Sequence, residues 1–395
     1  MSTPLLPWPR LSWRRRLLLL AAAMVLAMAG YASSLGGDLV FDDGPLLLND
    51  SCHWGIHNIP AMFTPGPGTT CSSRPVRSAS YALDYSLWGG DPLGYHLTNV
   101  LIHGLTILAL GLLVWRLGGK ARLAALAAAL FALHPVGTEA VAYISGRRDL
   151  LSALFSLLAI TAYVSFRAQG GLIRLAAVLV FLLAGIFSHE SAAALPALLV
   201  LLELCLAARK TPGSGLLTNA RALLHPRLAI PLGGALLLVL GIAAWKVMVV
   251  NYSGRHELWG GSLPAHLANV LRMHALYLKQ LLFPLELVAD YSADAFPISR
   301  SLLEGRALVA GVLVLGSVGL ALAAWSRAPL LATAALGYFI MLLPSSQIVV
   351  HHELIAEHRL YLPMAGFCVL AAAGLDRLIR SQGRLAWGLV AVLLV

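Results

Sequence analysis

The sequence predicts an all-α polytopic membrane protein with about eleven transmembrane helices. Hydrophobic residues make up 59% of the 395 positions and charged residues only 12%, and a soluble domain cannot bury so much apolar surface. The mean hydropathy is +0.80. Apolar runs of spanning or near-spanning length recur along the chain, with short basic connectors between many of them. This pattern is typical of a chain that crosses a bilayer many times.

The apolar runs define the predicted spans in chain order. A helix needs about 20 apolar residues to cross the hydrocarbon core. The first run follows Arg14, Arg15 and Arg16 and lacks a clear cleavage site, so we interpret it as an uncleaved span. The predicted spans cover residues 17–35, 96–116, 121–141, 149–166, 172–188, 191–207, 228–250, 306–325, 328–344, 360–379 and 385–395.

The distribution of charge predicts the orientation of these spans. Most of the 28 Lys and Arg residues fall at the N-terminus and in alternate connectors, and nearly all of the 18 acidic residues fall in the others. Because basic connectors stay in the cytoplasm, the N-terminus is predicted inside and the C-terminus outside. The net charge of +10 then reflects topology, and no nucleic-acid partner is expected. The predicted outer segments are 36–95, 134–149, 251–305 and 345–359.

Residues 264–285 are apolar enough to resemble a further span. They carry Arg272, His274 and Lys279, and a span here would move Arg327 to the outer side. We therefore predict an amphipathic helix that lies in the outer interface. The whole chain, 1–395, is then predicted to form one transmembrane module.

The stretch from Gly36 to Asp50, GGDLVFDDGPLLLND, directly follows the first predicted span and contains the adjacent acids Asp42 and Asp43. Ionisable side chains at a membrane boundary are costly and commonly functional. A helix end with solvated acids is the alternative interpretation. The additional acid Asp38 and the long polar loop that follows favour a functional site.

The first outer segment also contains Cys52 and Cys71. An outer loop faces an oxidising compartment, so we favour a disulfide over two free thiols. On the loop-closure account this bridge would contribute about 3 kcal/mol to stability.

Polar side chains from distant outer segments are predicted to converge with the two aspartates. Arginines bind a lipid-linked phosphate through charge-assisted hydrogen bonds, and a carboxylate can accept the proton of an attacking hydroxyl. The combination predicts chemistry on a phosphate-linked sugar at the membrane surface. The candidate binding residues are His96, His134, Glu139, Arg147, Arg148, Glu357, Arg359 and Tyr361.

The histidine pair His351-His352, followed by Glu353, suggests a metal site as an alternative. Neighbouring residues on a helix point about 100° apart, and helical ligands are better spaced at i and i+4. No H-E-x-x-H motif occurs in the sequence. We expect no cofactor and favour metal-independent chemistry, without excluding a divalent ion.

Four stretches resemble the membrane part of the transmembrane-and-tetratricopeptide-repeat O-mannosyltransferases and their bacterial relatives. They are FDDGPLLLND, RPVRSASYALDYSLWGGDPLGYHLTNVLIH, FALHPVGTEAVAYISGRRDLLSALF and AEHRLYLPMAGF. The resemblance runs in order from about residue 36 to residue 370. These proteins are GT-C glycosyltransferases, so the resemblance implies an eleven-span GT-C fold with an acidic first outer loop.

The resemblance also implies an inverting transfer of a sugar, generally mannose. The donor would be a polyprenyl- or dolichyl-phosphate sugar, and the acceptor a hydroxyl on a protein Ser or Thr or on a glycan. Asp42 matches the catalytic base and Asp43 its acidic neighbour. Arg147 or Arg148, together with Arg359, match positions that meet the lipid phosphate. The remaining recurring polar positions are His96, His134, Glu139 and Glu357.

The sequence departs from this family in two respects. Relatives usually read SKE where this chain has Ser188-His189-Glu190, so a titratable residue replaces a permanent cation. No tetratricopeptide repeats occur within these residues, and whether they follow residue 395 is left open. The expected location is a bacterial inner membrane with a periplasmic site, or an endoplasmic reticulum membrane with a lumenal one.

Two other classes of function compete with a glycosyltransferase. A transporter or lipid flippase would carry polar groups near the bilayer midplane, but the predicted spans contain few charges, chiefly Glu203 and Lys246. A non-catalytic membrane scaffold would use the loops only to bind a partner. Turnover of a polyprenyl-phosphate sugar separates the enzyme from both alternatives.

Overall fold

The structure is a computed structural model that describes residues 12–64, 70–118, 120–248, 257–291, 295–351 and 353–382. These residues form α-helices and short 3-10 or π turns, and no strand occurs among them. The α-helices are α1 Trp13–Tyr31, α2 Ile59–Met62, α3 Pro75–Trp88, α4 Pro92–Gly118, α5 Ala121–Leu133, α6 Thr138–Ala142, α7 Arg147–Gln169, α8 Leu172–Ser188, α9 Leu195–Ala208, α10 Leu216–Ala220, α11 Pro226–Met248, α12 Leu263–Leu282, α13 Gly305–Ala323, α14 Pro329–Leu342 and α15 Met364–Gln382.

Each predicted span within the described residues contains a helix, and α2, α3, α10 and α12 lie between the predicted spans. Six helical stretches there are long and apolar enough to cross a membrane, and α5 with α6 makes a seventh if this pair, bent by 54°, is one span. The helices α8 and α14 are apolar but shorter. The prediction of a helical, multi-pass membrane protein is therefore confirmed. The count of eleven and the assignment of outer loops stay predictions, and the span 385–395 lies outside the described residues.

The central helices pack through small side chains. The helix α4 packs against α1, α5 and α7, and α15 packs against α5 and α14. Ala27 of α1, Ala127 of α5 and Ala159 of α7 are fully buried, and such small side chains allow close backbone approach in a lipid environment. A Cβ on Gly366 would lie 2.4 Å from the backbone oxygen of Ala334, so α14 and α15 can cross at this distance only with glycine there.

The outer helices expose apolar side chains. Leu237 on α11 and Leu315 on α13 are 71% and 67% exposed, and such surfaces are suited to lipid. The predicted amphipathic helix is present as α12, and its buried side packs on the protein. Tyr277 of α12 is fully buried, and its hydroxyl donates to the backbone oxygen of Ala356 at 3.0 Å. The helix α12 thereby connects the third predicted outer segment to the last one.

Candidate functional site

A polar cavity of about 580 Å³ lies where the predicted outer segments meet. It is the place where acids from the first segment face basic residues from α7 and from the last segment. Its polar walls include Asp38, Asp42, His96, Glu139, Tyr143, Arg148, Asp290, Glu353, Glu357 and His358.

The two tandem aspartates have different environments. Asp43 is fully buried, and its Oδ1 accepts hydrogen bonds from the backbone nitrogen and the hydroxyl of Ser145 at 2.9 and 2.8 Å. Burial raises the pKa of Asp43, and the hydrogen bonds from Ser145 and Val40 oppose this. Asp42 is exposed and lines the cavity. Asp43 therefore attaches the first loop to the start of α7, while Asp42 is available for chemistry.

The backbone at this acidic pair is strained. Phe41 has a φ of 48°, a left-handed conformation that is uncommon for a residue other than glycine. The Phe41 ring meets Tyr143 edge-on at 6.1 Å, and the Tyr143 hydroxyl accepts from the backbone nitrogen of Asp42 at 3.1 Å. These contacts fix the direction in which Asp42 points.

The turn before α7 requires glycine for a second close approach. A Cβ on Gly146 would lie 2.3 Å from the backbone oxygen of Ala140. Without a side chain, the turn packs directly on α6, and this brings the Ser145 amide to Asp43. The same turn starts α7, where the two predicted arginines are located.

Arg148 is hydrogen-bonded to His358, which is in turn hydrogen-bonded to Glu139. Its Nη2 donates to Nε2 of His358 at 3.0 Å, and Nδ1 of His358 lies 2.5 Å from Oε1 of Glu139. Because a guanidinium can only donate, Nε2 of His358 is the acceptor in this bond and Nδ1 is left to donate to Glu139. Oε2 of Glu139 also accepts from the His358 backbone nitrogen at 2.8 Å. These hydrogen bonds hold Arg148 against the cavity wall.

Glu357 fixes another wall of the cavity. Its Oε1 accepts from the side-chain nitrogen of Gln280 at 2.8 Å, from the Tyr291 hydroxyl at 2.6 Å and from the Val288 backbone nitrogen at 2.8 Å. Burial raises the pKa of Glu357, while these hydrogen bonds lower it. Glu357 thereby orders the segment after α12 that lines the cavity.

Arg147 points away from the cavity, although it was predicted as an alternative to Arg148. Its side chain is fully buried, and Nη1 lies 2.5 Å from Oδ2 of Asp84. Nε donates to Asn99 and Nη2 to the backbone oxygen of Tyr95, both at 2.8 Å. Successive helical residues point about 100° apart, so the tandem arginines cannot both face the same cavity.

The other predicted residues divide between the cavity and the core. His96 and Glu139 line the cavity. Arg359 donates to the backbone oxygens of Glu353 and Leu354 at 3.2 and 3.1 Å, so it braces the last loop. His134 lies outside the cavity, with Nε2 located 3.1 Å from the backbone oxygen of Leu281.

Tyr361 is located in the core as well. It is fully buried, and its hydroxyl lies 2.6 Å from Nδ1 of His103.

The predicted disulfide between Cys52 and Cys71 is present, with Cα atoms 6.5 Å apart. His352 of the proposed histidine pair lies outside the described residues.

A chain of close polar contacts leads from the cavity to a second polar cluster. Arg148 lies 3.4 Å from Asp149, and Asp149 lies 3.4 Å from His189. Next to His189, Glu190 binds Arg74 at 2.9 Å and Lys246 at 2.5 Å. Lys246 therefore supplies a permanent cation beside His189, where relatives usually have lysine. A lone lysine at the end of an apolar run was the sequence signal for this role.

An apolar cleft of about 370 Å³ is lined by residues adjacent in sequence to those of this second cluster. Two of its lining residues, Pro75 and Trp245, are the chain neighbours of Arg74 and Lys246. The cleft opens between α8 and α11, under the first loop. It is lined by Met62, Phe63, Pro75, Phe187, Leu237, Leu238, Gly241, Ile242 and Trp245.

Comparisons with known proteins agree with the sequence motifs. No protein-family profile matches this sequence. Protein O-mannosyl-transferase TMTC4 of Mus musculus is 29% identical over 89% of this chain and 54% of its own length. Protein O-mannosyl-transferase F38B6.6 of Caenorhabditis elegans is 28% identical over 91% of this chain and 51% of its own. Protein O-mannosyl-transferase Tmtc1 of Drosophila melanogaster is 38% identical over 38% of this chain and 18% of its own.

The resemblance to O-mannosyltransferases is thus confirmed over most of the chain, and the chain spans about half the length of the curated relatives that it matches. Among solved structures, an Archaeoglobus fulgidus oligosaccharyltransferase superposes with a TM-score of 0.48 and 14% identity. That superposition covers 93% of this chain and 50% of the other.

Proposed function

We propose that this protein is an inverting membrane glycosyltransferase of the GT-C type. It moves a sugar, generally mannose, from a polyprenyl- or dolichyl-phosphate donor to an acceptor hydroxyl on the non-cytoplasmic side. The observation that carries the proposal is the shared cavity, in which the exposed carboxylate of Asp42 and the cation of Arg148 line one space. The named relatives, which are protein O-mannosyl-transferases, support the same chemistry.

The donor occupies both the cavity and the apolar cleft in this proposal. Its sugar lies in the cavity with Asp42. Its phosphate lies near Arg148, on the side from which the chain of polar contacts leads to Arg74 and Lys246. Its isoprenoid tail enters the cleft between α8 and α11 from the side. The cations along this route offset the charge of the phosphate.

The reaction is a single displacement at the anomeric carbon. The Asp42 carboxylate takes the proton of the acceptor hydroxyl as the hydroxyl oxygen attacks. The new glycosidic bond forms while the bond from the anomeric carbon to the phosphate oxygen breaks, and polyprenyl phosphate leaves with the bonding electrons. Attack from the face opposite the leaving group inverts the configuration. Arg148 stabilises the charge that develops on the phosphate.

The other residues of the cavity hold these groups in position. Asp43 fixes the loop that carries Asp42, and His358 with Glu139 orients Arg148. Glu357 and Arg359 order the cavity wall and the last loop. The acceptor is a protein Ser or Thr or a glycan hydroxyl. In the proposed mechanism arginine and lysine side chains neutralise the charge on the phosphate, and no metal ion is required.

The test is transfer by purified protein in nanodiscs with a radiolabelled polyprenyl-phosphate mannose and a Ser/Thr-rich peptide. Asp42→Asn should slow transfer by roughly 10²- to 10⁴-fold and leave donor binding intact. The matched control is Asp91→Asn, because Asp91 caps α4 through the Leu93 backbone nitrogen and asparagine caps equally well. Transfer at the wild-type rate by Asp42→Asn would remove Asp42 as the base. Donor movement across the bilayer without bond cleavage would favour the flippase alternative.

A further inference from the structure

A separate group of side chains that can bind a metal ion lies in the first loop, apart from the cavity and from the polar cluster around Glu190. Asp50, Cys52, His53 and Cys71 form the group with metal-ligand spacing among the described residues, and their ligand atoms all lie within 4.8 Å of one another. His53 and Cys71 are buried, at 1% and 2% exposure. The disulfide between Cys52 and Cys71 is part of this group, so its sulfurs already stand beside an imidazole and a carboxylate.

The separations are close to those of a tetrahedral zinc site. Zinc bonds of about 2.0 to 2.3 Å to nitrogen, oxygen and sulfur place neighbouring ligand atoms roughly 3.3 to 3.8 Å apart. Nε2 of His53 lies 3.3 Å from Sγ of Cys71, and Oδ2 of Asp50 lies 3.9 Å from the same sulfur. The two sulfurs are too close for a zinc site, because the disulfide joins them. Breaking that bond and separating them by roughly 1.7 Å would bring the two sulfurs to the spacing of ligands in a tetrahedral site.

The surrounding hydrogen bonds already orient these ligands. Nδ1 of His53 lies 2.9 Å from the backbone oxygen of Leu46, so it donates there and leaves the lone pair of Nε2 facing Sγ of Cys71. Oδ1 of Asp50 accepts from the backbone nitrogen of Cys52 at 3.3 Å, which turns Oδ2 toward Cys71. Partners of this kind on the outer side of histidine and carboxylate ligands are typical of zinc sites.

We propose that this cluster binds one Zn²⁺ when the Cys52–Cys71 bond is reduced, so that the first loop is closed either by the disulfide or by the metal ion. The ligands are the thiolates of Cys52 and Cys71, Nε2 of His53 and a carboxylate oxygen of Asp50. The ion is structural, because four protein ligands leave no open position for a substrate. The proposal is independent of the glycosyltransferase assignment.

The conversion balances with a dithiol as the reductant. Two electrons and two protons pass from the dithiol to the Cys52–Cys71 bond, which gives two thiols and leaves the reductant as its own disulfide. Zn²⁺ then replaces the two thiol protons, which are released to solvent. Thiol–disulfide exchange with a disulfide oxidant reverses the conversion: the Cys52–Cys71 bond forms again, the oxidant takes up two electrons and two protons to become a dithiol, and the Zn²⁺ ion is released.

Co²⁺ uptake by the detergent-purified chain tests this proposal, since tetrahedral Co²⁺ with thiolate ligands has a characteristic absorption spectrum. Protein reduced with a phosphine under anaerobic conditions should bind one equivalent of Co²⁺, which Zn²⁺ displaces, and oxidised protein should bind none. His53→Gln keeps both cysteines and should weaken binding to the reduced protein at least tenfold. The matched control is His57→Gln, because His57 lies in the same loop outside the cluster and should leave binding unchanged.

Two results would overturn the proposal. Reduced wild type that binds no more Co²⁺ than the variant with both Cys52→Ser and Cys71→Ser would show that the thiols hold no metal. Wild-type affinity in His53→Gln would show that the imidazole is not a ligand and that the tetrahedral site does not form. Formation of the disulfide in oxidised His53→Gln, measured by thiol titration, establishes that this variant folds in the first loop.

Discussion

The adjacent residues Arg147 and Arg148 are expected to have opposite mutant phenotypes. Arg147→Gln should destabilise the protein, and Arg148→Gln should weaken donor binding with little effect on stability. Arg147 is fully buried with its partner Asp84, whereas the Arg148 side chain is 16% exposed and lines the cavity. Sequence alone treats the two residues as interchangeable candidates, so this contrast tests what the structure adds.

The magnitude follows from what Arg147→Gln leaves behind. The substitution leaves the buried Asp84 carboxylate without its cation, and it perturbs hydrogen bonds to Asn99 and to the Tyr95 backbone. Breaking one side of a buried ion pair costs about 3–5 kcal/mol, a large share of a net stability of about 5–15 kcal/mol. Loss of a charge-assisted bond from Arg148 to the donor phosphate costs about 1.5–3 kcal/mol, which corresponds to roughly 10- to 150-fold in donor affinity.

Thermal unfolding in detergent, followed by tryptophan fluorescence, measures the stability of both variants. Donor affinity is measured separately with a labelled polyprenyl-phosphate sugar. The double variant Asp84→Asn with Arg147→Gln supplies the internal control, because removing both charges should recover part of the loss and give a coupling energy of about 1–3 kcal/mol. A stable Arg147→Gln protein that has lost donor binding would refute the structural role and return Arg147 to the site.

Two further perturbations address the cleft and the cavity wall. Gly241→Trp should fill the apolar cleft and raise KM at least tenfold for a long-chain donor but not for a short-chain one. The control is Gly233→Trp, which lies on the same helix outside the cleft. Equal KM values for both donors in Gly241→Trp would contradict the tail site. Burial raises the pKa of Glu357, so its contribution to stability is complete below its unfolded pKa of about 4.3 and is lost as pH rises through the folded value. Glu357→Gln should therefore gain stability relative to wild type between about pH 4 and pH 7, as measured by thermal unfolding, and a difference that does not change with pH would contradict this sign.

The sequence determined the class of the protein and the positions of its helices. Apolar runs must be helical in lipid because every backbone polar group needs a partner there, and each predicted run within the described residues accordingly contains a helix. The family motifs also selected Asp42 and Glu139, which share one cavity, and they narrowed its cation to Arg147 or Arg148. The predicted amphipathic character of residues 264–285 corresponds to α12.

Only the tertiary structure decided the roles of individual side chains. Which of Arg147 and Arg148 faces the cavity depends on the rotation of α7, and that rotation is fixed by packing against Asp84 and Asn99, far away in the sequence. The same holds for His358, which touches Glu139 from another outer segment, and for Lys246, which reaches Glu190 from α11. These contacts are long-range and specific, and a single sequence records hydrophobic periodicity but not the rotation of one helix against its neighbours.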